Sequence, residues 1–406
     1  MNMYSPVAVH MKKKMPAGNV QLKTAEVSAL RSPHHDKSSN SERDLTDVSS
    51  FQRQNVGLQR DQALRLKRID RVCRLRQIKG EVRQLYTYSP SKVSYCSNHK
   101  AASTYWIQVF RFLHNDTPPH IKRPADLPKY YTHMAPLRKT KKVDFMQKLN
   151  YEETLQNFRF MMARDPYERL WSVYIDKFIL FDLYFWETAD TNKGIGSNHK
   201  HKSHCKQISF EEFLIYVSTT GKTNPLVLND HFQPIHIGCN PCRFKPNFVG
   251  HVETLNQEKN FILDKLGHTP NTNEIEDHED HILHEITEIS KFQFQQLSIS
   301  SSSSKFCATM KNIQERIIVA FVLNGYLPLD LLDTFSPWLP ISKDTFISKL
   351  VKVFKDSNRT AEDTRQQRET LRKEAYKKVP FQTLLSLQDI FKDDFLLFGY
   401  DPQPSY

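Results

Sequence analysis

The densest set of groups that could do chemistry lies at residues 164–178, Arg-Asp-Pro-Tyr-Glu-Arg-Leu-Trp-Ser-Val-Tyr-Ile-Asp-Lys-Phe. Arg164 offers a charge-assisted, two-pronged donor to an oxyanion. Asp165 is a good helix N-cap, Pro166 suits the first helical position, and Glu168 stands where it closes a capping box. A helix mouth of this kind carries N–H groups and partial positive charge, so it attracts anions. Ser172 adds a hydroxyl about two turns in. Tyr167, Leu170, Tyr174 and Phe178 form an apolar stripe, with Arg169, Ser172 and Asp176 on another face. The same residues also suit an ordinary capped helix in which Arg164 pairs with a carboxylate.

A second concentration lies at residues 97–105, Ser-Asn-His-Lys-Ala-Ala-Ser-Thr-Tyr. A loop that cradles phosphate needs small residues for close backbone approach, a lysine for charge and a hydroxyl at the helix start. Ala101 and Ala102, Lys100, and Ser103 with Thr104 meet those needs. The glycines of G-x-x-x-x-G-K-[ST] are absent, so that motif is not matched.

Each concentration sits between a strand and a helix. Residues 92–96 and 158–163 are short apolar runs of strand character, and helical periodicity follows at 105–113 and 166–178. Another strand–helix pair is expected at 247–252 and 253–266. Such alternation predicts an α/β fold with a parallel sheet. Further helices are expected at 209–217, 312–324, 343–354, 362–378 and 381–391. Residues 1–60 are polar and read as disordered, 61–90 as a basic helix with a linker, and 91–406 as the functional domain. A flexible insertion is expected around 268–304, which is acidic and then rich in Ser and Gln.

The chain has 406 residues and a net charge of +12, which favours anionic partners without choosing among them. No run approaches the ~20 apolar residues of a membrane span. The basic helix at 61–85 is expected to pack on the domain edge, a nucleic-acid-binding helix being the alternative. His199, His201, His204 and Cys205 fit no standard zinc spacing. Cys239-Asn240-Pro241-Cys242 has no second pair in reach and reads as a turn.

Four ordered motifs resemble one family. Residues 95–106 resemble the loop that holds the 5′-phosphosulfate of PAPS (3′-phosphoadenosine 5′-phosphosulfate) in Golgi carbohydrate sulfotransferases. Residues 164–178 resemble their 3′-phosphate segment, R-D-P-[FY]-E-R-L-x-S-x-Y-x-D-K-F. Residues 231–255 resemble the H-x-x-P…C-x-P-C…D-F-I-G…E-T-L block, and 394–400 the terminal D-F-x-x-F-G-Y. The likeness is to the branch of the chondroitin and dermatan 4-O-sulfotransferases and the HNK-1 sulfotransferase.

The resemblance implies a P-loop-like sulfotransferase core, a central parallel sheet flanked by helices, with PAPS as co-substrate and no metal. It implies cofactor contacts from His99, Lys100, Ala101, Ala102, Ser103, Thr104, Tyr105, Arg164, Asp165, Pro166, Arg169 and Ser172. Lys100 would stabilise charge growing on the bridging oxygen, and His133 is the favoured base, His231 the second. The partner would be a glycan acceptor, anionic or containing amino sugar, and not nucleic acid. The family works at the lumenal face of the Golgi membrane through an N-terminal anchor not visible in this chain. In the lumen, Asn115-Asp116-Thr117 and Asn358-Arg359-Thr360 become glycosylation sequons and disulfides are expected. This chain departs from the family at His99 (usually Pro), Tyr105 (Asn) and Ile107-Gln108 (often Lys-Arg). Those departures motivate the alternative of a non-catalytic glycan- or nucleotide-binding relative.

Overall fold

Five short strands make one sheet in the order β3–β1–β2–β4–β5: β1 (Leu85–Tyr88), β2 (Val93–Cys96), β3 (Lys142–Val143), β4 (Phe158–Ala163) and β5 (Phe248–His251). The structure is a computed structural model describing residues 40–138, 140, 142–143, 148–186, 208–268, 278–300 and 308–404. The helices are α1 (Asn40–Leu75), α2 (Ser103–Leu113), α3 (Lys129–Met134), α4 (Lys148–Gln156), α5 (Pro166–Tyr174), α6 (Phe210–Thr223), α7 (Leu255–Lys265), α8 (His278–Ser300), α9 (Met310–Leu323), α10 (Lys343–Asp356), α11 (Ala361–Tyr376), α12 (Phe381–Ile390) and α13 (Lys392–Phe398), with shorter turns between.

The sheet is mixed rather than wholly parallel. β2, β4 and β5 run parallel, whereas β1 is antiparallel to both β2 and β3. The link from β1 to β2 is a single tight turn at Ser89–Ser91, far too short for the crossover a parallel pair requires. The parallel strands are joined by helical crossovers, as the strand–loop–helix pattern demands. Tyr95, Trp106, Phe110 and Phe160 pack the face beneath α2, with Tyr95 stacked on Phe160 at 4.7 Å. A larger helical core surrounds α5, whose stripe residues Tyr167, Leu170 and Tyr174 are buried together with Trp171 and Val173.

Two expectations change. Helix α1 begins at Asn40, inside the segment read as disordered; no proline interrupts residues 40–75, so the helical run continues through polar sequence. Residues 278–300, placed in a flexible insertion, form α8. Its Ile282, Ile286 and Ile289 recur at helical spacing and are buried in the main core with Phe294. The side chain of Gln293 donates to Phe181 O and accepts from Phe181 N, tying α8 to the chain after α5. A polar composition had concealed a narrow apolar stripe.

The expected packing of the basic helix on the domain edge is observed. Gln62 of α1 lies against β5, the outermost strand of the parallel set. Its amide donates to Val249 O and accepts from Val249 N, each at 3.0 Å, closing the sheet edge as another strand would. Arg65 pairs with Glu258 at 2.7 Å beside it. Disulfides Cys73–Cys242 and Cys96–Cys239 join α1 and β2 to the turns around residue 240. In place of the expected turn, Cys239 pairs with Val82 in an isolated β-bridge and Cys242 lies in a one-turn helix, Pro241–Phe244, capped by Asn240; each bonds a distant cysteine. Cys205 and Cys307, like His199, His201 and His204, lie outside the described residues.

The terminal motif is structural. Buried Asp394 accepts from the backbone N–H of Ile235 and His236 and meets His236 Nδ1 at 2.7 Å. Gly399 adopts a left-handed conformation (φ 77°) at the end of α13, where a residue with a Cβ would be strained. Among the described residues no helix is long and apolar enough to cross a membrane.

Replacing Gln62 by Met keeps the side chain's bulk but leaves Val249 N without its partner, while Val249 O keeps the Arg65 guanidinium at 2.8 Å. The expected cost is about 1–3 kcal/mol, read as a lower urea midpoint than that of the unaltered chain.

Candidate functional site

Parallel pairing of β2 with β4, in the register Cys96↔Met161, places the loops that follow both strands at one sheet edge. The two loops touch. Arg164 Nη1 donates to Lys100 O at 3.2 Å, and Asn98 Nδ2 to Met162 O at 3.3 Å. The two strand–loop–helix units recognised in the sequence therefore meet at one edge of the sheet.

The first loop turns through left-handed backbone at Lys100 (φ 63°) and Ala102 (φ 57°). A glycine would take this conformation freely, whereas a residue with a Cβ is strained by about 1 kcal/mol or more. The chain thus makes the tight turn of a glycine-rich loop without glycine. Ala101 is buried under it, and Ala102 caps α2 without a side-chain acceptor. Ser103 is nearly buried at the helix start, Thr104 stands beside it, and the Tyr105 ring lies edge-on to Trp106 at 5.0 Å.

Three ammonium groups converge on one carboxylate in front of this loop. Asp176 meets Lys100 at 3.1 Å, Lys129 at 3.2 Å and Lys177 at 3.3 Å, and Lys177 also meets Asp182 at 2.8 Å. Asp176 and Lys177 leave the chain within a π turn, Ile175–Ile179, which ends the regular helix earlier than the sequence suggested. Burial pulls the Lys100 pKa down to about 8; Asp176 opposes the shift, while Lys129 and Lys177 add to it. Burial would raise the Asp176 pKa, but the three ammonium groups hold it well below the carboxylate range.

Helix α3 carries Lys129 and His133 one turn apart. It is held by buried Arg111, which pairs with Asp116 and donates to Ala135 O just past its end. His133 Nε2 is 3.0 Å from Thr104 Oγ1. His133 keeps an exposed face; partial desolvation among the packed side chains, with the charges of Lys129 and Lys177, lowers its pKa to about 3. The structure thus brings His133 to the Lys100 loop.

The second loop differs from its expected chemistry. Asp165 caps α5 by accepting from Glu168 N at 2.9 Å, so the helix mouth already holds a carboxylate. The capping box does not close. Asp165 N donates instead to Glu253 at 3.0 Å, and Glu168 turns to the guanidinium groups of Arg372 at 2.7 Å, Arg368 at 3.5 Å and Arg164 at 3.6 Å. Arg368 and Arg372 come from α11, some two hundred residues away in sequence, and no local signal marked them. Cationic side chains, rather than helix N–H groups, supply the positive charge here. Pro166 is buried and Ser172 half-buried.

Arg169, expected at the ligand, lies beneath the loop instead. It is 2% exposed and donates to His99 O at 2.9 Å, Gln233 O at 2.6 Å and Asp230 O at 3.0 Å. Its guanidinium is engaged by carbonyls and faces no open space. The His99 and His231 rings stack at 4.0 Å and both face Asp230, at 3.3 and 3.1 Å. Burial and the neighbouring charges of His99 and Lys177 outweigh Asp230 and bring the His231 pKa down to about 4. Asp230 itself escaped the sequence reading, as did Lys129, although its spacing of four from His133 on one helix was a usable signal.

The family model described as the Sulfotransferase family matches residues 83–321. Carbohydrate sulfotransferase 11 of Danio rerio is 26% identical over 201 residues, 46% of this chain and 54% of that protein. Carbohydrate sulfotransferase 10 of Mus musculus is 26% identical over 193 residues, 45% of this chain and 52% of that one. Carbohydrate sulfotransferase 14 of Danio rerio is 30% identical over 115 residues, 27% of this chain and 30% of that one. The chain spans about half the length of the first two. No solved structure matches it.

Burial pushes the Asp165 pKa up to about 6, with Glu168 and Glu253 adding to the shift. A raised pKa in the fold means a contribution to stability that is full below about pH 4 and lost as pH rises through about 6. Asn caps a helix as well as Asp and carries no charge. Asp165→Asn is therefore expected to gain stability relative to the unaltered chain between pH 4 and 7, by about 1–2 kcal/mol after solvent screening. Denaturant midpoints measured at both pH values check it.

Proposed function

Because this chain belongs to the sulfotransferase family, we propose that it is a carbohydrate sulfotransferase that moves a sulfuryl group from PAPS to a glycan hydroxyl. One observation carries the reading. Two strand–loop–helix units, each with a cation at its turn, meet through the Arg164–Lys100 contact, with further ammonium and guanidinium groups gathered around both turns. A nucleotide with a phosphosulfate at one end and a 3′-phosphate at the other matches that distribution of charge.

In this reading β2, its loop and α2 form the P-loop-like core. The mouth of α2, the backbone of residues 99–102, and the hydroxyls of Ser103 and Thr104 hold the 5′-phosphosulfate. Arg164, supported by Glu168, and Ser172 hold the 3′-phosphate; Asp165 and Pro166 set the turn that aims them. Arg169 positions the loop through His99 O. During transfer the bond from sulfur to the phosphate oxygen breaks and a bond from sulfur to the sugar oxygen forms. Negative charge grows on the departing oxygen, and the Lys100 ammonium, with Lys129 and Lys177 behind it, stabilises that state more than the ground state. His133, neutral in the cleft, takes the proton of the sugar hydroxyl. The arriving anion offsets the charges of Lys129 and Lys177 and so raises the basicity of His133 toward the range in which a base is most effective. Adenosine 3′,5′-bisphosphate leaves. The lysines supply the charge stabilisation, so the transfer step calls for no metal.

We place the acceptor among anionic or amino-sugar-containing glycans, to suit the surplus of positive charge, and the enzyme at the lumenal face of the Golgi membrane. Two disulfides among the described residues suit an oxidising compartment. Asn115 and Asn358, the sequon asparagines, are exposed on left-handed turns where a glycan can be attached.

The test is transfer of labelled sulfate from PAPS across a panel of glycosaminoglycans. Lys100→Ala is expected to lose about 10²–10³-fold in kcat. Arg164→Ala is expected to raise the Kd for adenosine 3′,5′-bisphosphate about 10–100-fold. His133→Ala should lose kcat while that Kd stays within about threefold. Nucleotide binding with no sulfation of any acceptor would instead make the chain a non-catalytic relative.

A further inference from the structure

We propose that His99, Asp230 and His231 form a binding site for a divalent transition-metal cation of the zinc class at the rim of the cleft. Their donor atoms, one from each side chain, all lie within 4.8 Å of one another. His99 Nε2 is 3.3 Å from one Asp230 oxygen and His231 Nδ1 is 3.1 Å from the other. Bonds of about 2.1 Å to one ion place neighbouring donors roughly 3.0–3.4 Å apart, so both separations are compatible with donors that share one ion. Two further side chains complete the rim. Asn229 Oδ1 is 2.8 Å from His231 Nδ1, and the Gln84 amide is 3.0 Å from His99 Nε2.

The donor set is chemically selective. Two imidazoles with one carboxylate suit zinc, cobalt and nickel better than calcium or magnesium, which prefer oxygen. Among the described residues the Asp230 carboxylate meets no ammonium or guanidinium within ion-pair distance, in contrast to Asp176. The backbone under the site is fixed, because Arg169 holds the carbonyls of both His99 and Asp230. The ion would sit one residue from Lys100 and take no part in the transfer step; it would add positive charge where an anionic chain enters.

The tag-free full chain, stripped with a chelator and dialysed, is titrated with Co(II) and, separately, with Zn(II) by calorimetry. One Co(II) per chain with tetrahedral-type visible absorption is expected, displaced by Zn(II). Asp230→Asn and His99→Asn should each weaken binding at least about tenfold while near-UV circular dichroism is unchanged. That loss also assigns the signal to this cluster rather than to His199, His201 and His204. No saturable binding overturns the proposal, as does binding that both variants retain; if Asp230→Asn fails to fold, His99→Asn decides alone. The sulfate-transfer reading is untouched by either result, since binding of adenosine 3′,5′-bisphosphate is measured separately.

Discussion

A single buried guanidinium holds the candidate site together. Arg169 leaves α5, passes beneath the loop after β2 and bonds the carbonyls of His99, Asp230 and Gln233. Burial lowers its pKa only to about 10, so it remains a cation and its hydrogen bonds are the strong, charge-assisted kind. Two segments distant in sequence, at His99 and at Asp230–Gln233, are thereby fixed relative to one helix. The strained backbone at Lys100 and Ala102 persists because this anchor, the Cys96–Cys239 bridge and the parallel pairing of β2 with β4 over-determine it.

The remaining architecture serves the same edge. Gln62 closes the far side of the parallel strands, which frees the sheet from an unpaired margin. Asp394 ties the last helix to the turn that follows His231, and Tyr400 donates to Glu253, which receives the backbone N–H of Asp165. The terminal motif thus reaches the loop of Arg164 through two hydrogen bonds. Its residues need not touch a ligand to matter for the site.

Much of this was legible because it is local. The strand at 158–163, the loops and the helices after them announce themselves through changes of period and through caps, which depend on neighbouring residues. The short antiparallel β1 carries too few residues for a period to show. Helix α8 was hidden because three isoleucines are a faint stripe among Glu, His, Gln and Ser. The site divides in the same way. Lys100, Arg164 and Ser172 lie inside recognisable motifs. Arg169 sits in the same motif, yet its direction is set by packing that no spacing reveals. Arg368, Arg372 and Asp230 owe their places to tertiary contacts across long separations. Glu168 shows the limit well: its position fits a capping box, but three arginines outbid the helix terminus for its carboxylate.

Asp176 has a consequence of its own. The cleft contains an internal anion that occupies its lysines whenever no other anion does. Those side chains are consequently held in place between visits of a ligand instead of wandering into solvent, and little reorganisation is needed when one arrives. Arrival and departure become an exchange of one negative group for another. The net gain from binding an anion is smaller than three unpaired ammonium groups would give. In the proposed reaction the carboxylate would reclaim its partners as product departs, an arrangement that suits repeated turnover over tight retention.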